Sequence, residues 1–291
     1  MRRLKDLILF EKVALLLISI LVLVSLLFSP AFSGPLPVNS LVAWWSFDDT
    51  EDPYRGIRDL VSETPKYWET TKFNSGSLSL VSGPRGMALE FAEDGSAYLV
   101  TTQDYTWPTN AFTIAGWAKP YSLNTDGIGW LGFVTFGGAS PNTFNLEFKD
   151  GTGHSRINGW VDEYWTEDSM VKLNEFHFVA VTYDGENLVF YKDGQEVDRT
   201  TPILDDQSPS VEGLTWPIYL GLDAYGTWNY FEGVMDEITL WSAALNAEQI
   251  QTLYQQNGSP VVPLPGAGLL LGSGLVGVLL FRKKLPFPRS R

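Results

Sequence analysis

Between Leu41 and Ile238, apolar residues come in short runs or alternate with polar ones, and Gly, Asn, Asp and Pro punctuate the runs. A period of two places alternate side chains on one face, the pattern of a half-buried strand. The spacing predicts strands over Leu41–Phe47, Ala88–Phe91, Tyr98–Thr101, Phe112–Lys119, Gly132–Phe136, Phe144–Lys149, Phe176–Tyr183, Asn187–Lys192, Gln195–Thr200, Ile218–Leu222 and Phe231–Leu240. Tyr183-Asp-Gly-Glu-Asn187 and Lys192-Asp-Gly-Gln195 carry the Asp-Gly pair that favours tight hairpins, so Phe176–Thr200 reads as a meander. Many short strands without helical alternation predict an all-β chain, folded as a two-sheet antiparallel sandwich.

One stretch changes period. From Ser242 to Tyr254, Leu245, Ile250, Leu253 and Tyr254 fall near helical spacing, with Asn246 placed to cap and Gln249 placed to complete a capping box. A single short helix therefore closes the sandwich.

Two apolar runs flank this body. Met1-Arg-Arg-Leu-Lys5 precedes an apolar run from Val13 to Phe28, and small residues follow at Ser29, Ala31 and Ser33. These are the parts of a secretory signal over residues 1–33, with cleavage after Ala31 or Ser33, an uncleaved membrane anchor being the alternative. At the other end Gly266 to Phe281 is apolar and Arg282, Lys283 and Lys284 follow at once, which fits a membrane segment over 266–281 with a cytoplasmic basic flank. The outward-facing domain is then residues 34–258, and the tail is residues 259–291.

Charge sharpens this division. The ends are basic, whereas the middle holds 11 Lys and Arg against 32 Asp and Glu. So acidic a body repels phosphate backbones, which argues against nucleic acid as a partner. The chain has no Cys and only two His, which excludes thiol chemistry and multi-His or Cys-based metal centres. Its 11 Trp suit sheet faces and sugar-contacting surfaces.

The tail sequence Val262-Pro263-Leu264-Pro265-Gly-Ala-Gly, an apolar run containing Gly272-Ser-Gly274, and Arg282-Lys283-Lys284 together resemble the PEP-CTERM sorting tails. The variant beginning Val-Pro-Leu-Pro-Ala is the nearest in kind, with Gly266 standing at the Ala. The resemblance implies a Gram-negative-type bacterium, a pause in the inner membrane, cutting by an exosortase-like enzyme after signal peptidase has acted, and release to the cell surface or matrix.

The body carries a second resemblance. Leu41-Val-Ala-Trp-Trp-Ser-Phe-Asp-Asp49, Gly86-Met-Ala-Leu-Glu-Phe91, Phe112-Thr-Ile-Ala-Gly-Trp-Ala-Lys-Pro120, the hairpin Phe176–Gly194 and Gly233-Val-Met-Asp-Glu-Ile-Thr-Leu-Trp241 with the helix after it are similar, in order, to the LamG-like jelly rolls of concanavalin A-like fold. That fold hosts lectins, hydrolases and adhesion modules alike. The resemblance implies a structural Ca²⁺, with Asp236 in the closing strand and Asp48 or Asp49 opposite it supplying oxygens; calcium also draws on backbone carbonyls.

A retaining glycosidase needs two carboxyls about 5–5.5 Å apart. No Glu-x-Asp-x-x-Glu string occurs, and the adjacent pairs Asp162-Glu163 and Asp236-Glu237 are expected on opposite strand faces. Glu163, Glu167 and Asp168 read as an acidic patch in a loop, His154 as exposed in a Gly-rich turn, and His177 as a packing or hydrogen-bonding residue. Trp160, Tyr164, Trp165, Tyr225, Trp228 and Asn229 combine aromatic and polar groups in expected loops and are the candidate ligand contacts. The reading is a non-enzymatic adhesion or biofilm-type module that binds a glycan or a surface protein. A glycan-active hydrolase and a purely structural matrix component are the alternatives.

Overall fold

In the computed structural model of the chain, residues 35–51, 57–61, 68–72, 77–92, 97–101, 104–106, 111–123, 131–136, 144–156, 163–202, 215–222 and 230–260 are described, with backbone alone at 68–72, 156 and 163. The chain divides into two units, Met1–Pro35 and Leu36–Arg291. Both terminal apolar runs lie outside the described residues. Among the described residues, no helix is long and apolar enough to cross a membrane.

Two antiparallel sheets form the body. The first runs β14 (Gln195–Thr200), β13 (Leu188–Lys192), β12 (His177–Tyr183), β7 (Phe112–Pro120), β17 (Gly233–Trp241), β4 (Met87–Phe91) and β3 (Leu78–Ser82), with β1 (Leu41–Trp45) also paired to β17. The second runs β11 (Glu163–Ser169), β10 (Thr152–Arg156), β9 (Phe144–Lys149), β8 (Leu131–Phe136), β16 (Ile218–Leu220), β5 (Ala97–Thr101) and β2 (Trp68–Lys72). The short strands β6 (Tyr105–Thr106) and β15 (Thr215–Trp216) pair with each other.

Apolar residues of both inner faces fill the space between the sheets, among them Trp45, Phe91, Ile114, Phe133, Phe148, Leu220 and Ile238. Burying such side chains contributes roughly 1.5–3 kcal/mol each and is the main support of a chain without disulfides. A second cluster lies on the outer face of the eight-stranded sheet. There the helix α1 (Ala247–Gln255) lays Ile250 and Leu253 on Trp117, Phe178 and Trp241. Asn246 and Gln249 form the expected capping box, each side chain bonding the other's backbone N–H at 2.9 and 3.0 Å.

The expected strands all form, within a residue or two at their ends. Strands β2, β3, β6, β10, β11 and β15 appear where none was expected. The segment read as a loop around Glu163, Glu167 and Asp168 is strand β11, hydrogen-bonded to β10. His154 is likewise no exposed turn residue. It lies in β10 and is fully buried, because the reversal comes earlier, at Asp150-Gly151, both at positive φ. Gly153 then passes under Met170, where a Cβ would come within 2.0 Å of Sδ.

Candidate functional site

Two places gather polar side chains that the core does not need. The first lies on the outer face of the seven-stranded sheet. Phe144, Leu146 and Phe148 of β9 point into the core, so alternation turns Asn145, Glu147 and Lys149 outward. Cross-strand pairing sets Glu147 opposite His154 and His154 opposite Trp165. Asn145 donates to Glu147 Oε1 at 2.5 Å, and His154 Nδ1 stands 3.2 Å from Glu147 Oε2, all three side chains being fully buried. The His154 ring lies 4.4 Å from that of Trp165, and Lys149 Nζ lies 5.8 Å from the Trp165 ring centre. Trp165 is 42% exposed, unusual for so large an apolar ring.

Toward the other edge the same face carries Thr135, paired to Asn145 and to Tyr219, and then a group of tyrosines. Tyr98 stacks on Tyr230 at 6.2 Å and meets Tyr219 at 6.3 Å, all three half-buried. Burial raises the Tyr219 phenol above its ordinary pKa, with the charge of nearby Asp104 a smaller cause, so it stays a neutral donor. Five strand spacings separate Trp165 from Tyr98, about 24 Å.

Of the expected ligand contacts, Tyr164 and Trp165 are described and the strand separates them. Trp165 faces outward, while Tyr164 is partly buried and packs against the core. Trp160, Tyr225, Trp228 and Asn229 lie outside the described residues, as do Val262, Pro263, Leu264, Pro265, Arg282, Lys283 and Lys284. Glu147, Asn145, Tyr98 and Tyr219 were missed as site residues. Their alternation with core residues is the signal that could have found them.

The second place joins the opening and closing strands. Asp236 and Glu237 were expected on opposite faces, but the β7–β17 register shifts between Asp236 and Thr239 and Glu237 takes a φ of 50°. Such a bulge turns neighbouring side chains to one side, and both reach Arg85. Asp236 Oδ2 accepts from the Arg85 backbone N–H at 3.1 Å, and Glu237 Oε1 pairs with its guanidinium at 2.9 Å. Glu237 Oε2 accepts from Trp44 Nε1 at 2.6 Å. Burial, above all, pushes Asp236 up to about 8 and Glu237 up to about 7.

Asp48 completes this group. Its Oδ1 accepts from the Met87 backbone N–H at 2.8 Å beside Gly86, whose missing Cβ would lie 1.9 Å from that oxygen. Asp49 turns away to Arg58, accepting from Nε at 2.8 Å. Asp236 Oδ1 is buried without a hydrogen-bond donor, which is costly for a carboxylate and suits a cation ligand. Among the described residues, no three His, Cys, Asp or Glu side chains converge as a metal site, so a calcium ion here would rely on carbonyls and water besides Asp236.

Residues 93–251 match the sequence profile of the concanavalin A-like lectin/glucanases superfamily, more than half of the chain. Among solved structures, domain 4 of AbnA, a GH43 extracellular arabinanase from Geobacillus stearothermophilus solved with arabinotriose, is similar at 21% identity and a TM-score of 0.56, over 74% of this chain and 98% of that one. The binding domain of Paraclostridial Mosquitocidal Protein 1 is similar at 17% identity and a TM-score of 0.55, over 75% of this chain and 52% of that one. The receptor binding domain of botulinum neurotoxin D follows at 12% and 0.51, over 75% and 53%. At these identities the likeness shows the fold. No curated protein sequence matches the chain.

Proposed function

Because the chain belongs to the concanavalin A-like lectin/glucanases superfamily, we propose that it is a non-enzymatic binding protein of the cell exterior that takes a glycan across the outer face of the seven-stranded sheet. The observation that carries this reading is the row Trp165, His154, Glu147, Asn145, Thr135 and Tyr219, which sets an exposed ring and a tyrosine cluster on either side of hydrogen-bonding groups. Aromatic faces stack on sugar rings, and the fully buried Asn145, Glu147 and His154, bonded to one another, hold the strands that present them. The similarity to the arabinanase domain solved with arabinotriose is consistent with it.

Export, sorting and adhesion remain part of this proposal. The terminal sequences support passage through signal peptidase and an exosortase-like enzyme on the way to a bacterial surface or matrix. The orphaned Asp236 Oδ1 supports a structural Ca²⁺ held with Asp48 and backbone oxygens between the opening and closing strands. That ion would neutralise buried carboxylate charge and fasten the two strands.

Glycan-array binding by the full chain tests the reading. Saturable binding lost in Trp165→Ala supports it, and binding unchanged by that substitution removes this face from consideration. The second reading, hydrolysis, is favoured by the buried Glu147 hydrogen-bonded to Asn145 and facing His154. Sugar release that disappears in Glu147→Gln would replace binding with catalysis.

A further inference from the structure

The sandwich has a front and a back, and the described chain ends meet on the back. Leu36, the first residue of the larger unit, is buried in the cluster that seats α1 on the outer face of the eight-stranded sheet. Ser40 O then accepts from the Ser242 backbone N–H at 2.8 Å, holding this entry beside the start of the helical segment. At the exit, Gly258 N–H donates to Leu253 O at 2.8 Å to close the helix, and Gly258 lies so near Glu237 and Trp117 that a Cβ would come within 2.7 Å of Glu237 Cβ. Ser259 and Pro260 are buried too, so the chain is fixed to the back of the domain as far as residue 260.

From Pro260 to Gly266, where the apolar run begins, there are six Cα steps, at most about 20 Å of chain. Crossing a headgroup layer uses roughly 5–7 Å of that. The remainder cannot pass around a body made of two sheets about 10 Å apart with a helix about 10 Å across laid on one of them. From these lengths we infer that the α1 side of the domain is the face held against a lipid bilayer, with the Trp165 side turned away from it. The strongly acidic body adds no attraction to anionic lipid, so the arrangement comes from the short mount and not from a charged patch. It leaves the exposed Trp165 side, proposed above for glycans, directed away from the membrane while the tail is still attached.

This inference rests on the reading of residues 266–281 as a membrane segment, and the experiment separates the two. The chain has no native Cys, so single labels go where they are placed. Glu248→Cys marks exposed α1 and Glu167→Cys marks an exposed position of β11, two residues from Trp165. Each full-length variant carries a fluorophore and is reconstituted in phosphatidylcholine vesicles containing headgroup-nitroxide lipid. The label at 248 is expected to be quenched at least twofold more than that at 167. Equal or reversed quenching in vesicle-bound protein overturns the orientation alone. Failure of the full chain to float with the vesicles overturns the membrane reading, and the orientation with it.

Discussion

Trp44 Nε1 donates to Glu237 Oε2 at 2.6 Å, tying the opening strand to the closing strand across 193 positions of sequence. Arg85 reaches the other oxygen from the β3–β4 turn, so one buried carboxylate holds three segments. Glu237→Ala leaves an indole N–H without its acceptor and a guanidinium without its charge. The expected loss is about 2 kcal/mol in urea unfolding, chiefly from the unsatisfied indole, because the Arg85 side chain is 38% exposed and water can take it up. Glu237→Gln keeps an acceptor for Trp44 and should lose less. Combining Glu237→Ala with Trp44→Phe should reveal a coupling of about 1 kcal/mol between the two side chains.

The same burial gives the domain an unusual response to pH. The unfolded carboxyls of Asp236 and Glu237 ionise near 4, whereas burial holds them up to about 8 and about 7 in the fold. Between those values the folded state binds more protons than the unfolded one, so their contribution to stability falls as pH rises. In chelator, unfolding free energy is expected to decline from pH 5 to 8, and to decline less steeply in Asp236→Asn. Identical slopes in the two proteins would show that Asp236 does not hold its proton in the fold.

A bound cation reverses that penalty. With Asp236 Oδ1 free of hydrogen-bond donors, added calcium at 100 times its Kd should stabilise the native state by about 2.7 kcal/mol. The measurement is the melting temperature with calcium against chelator, at pH 8. Asp236→Asn should abolish the difference, while Asp49→Asn, whose carboxylate is taken by Arg58, should leave it intact.

The limits of sequence reading follow from where the physics is local. Helix α1 was legible because its cap, capping box and apolar stripe all lie within thirteen residues. The hairpin at Asp193-Gly194 was legible from its turn, and Asp150-Gly151 carried the same signal unread, which is why β10 and the burial of His154 were missed. Strand β11 was hidden because an aromatic ring, Trp165, faces outward between the core-facing Tyr164 and Thr166, so the run shows no clean polar-apolar alternation. The convergence of Asp236 and Glu237 depends on a bulge, and a bulge depends on the register of a partner strand more than a hundred residues away. Periodicity assigns such neighbours to opposite faces and has no means of doing otherwise. Asn145 and Glu147 were open to the same alternation argument that found the core residues between them.

Glycines set a sharper test of the packing around that closing strand. Gly233 opens β17 at φ 145°, and a Cβ there would stand 2.2 Å from the Lys119 carbonyl oxygen and 2.8 Å from Pro120 Cα. Both are backbone atoms of the paired strand β7, so neither can swing aside as a flexible side chain would. Gly185 also has positive φ, 96°, but nothing lies within 4 Å of its missing Cβ. Gly185→Ala therefore meets only the left-handed backbone penalty, about 1 kcal/mol. Gly233→Ala meets strain and collision together, and should cost more than about 3 kcal/mol by chemical unfolding. If the two variants lose equal stability, the close approach of β17 to β7 at Lys119 does not exist in solution, and the register that carries Asp236 and Glu237 into one cluster has to be redrawn.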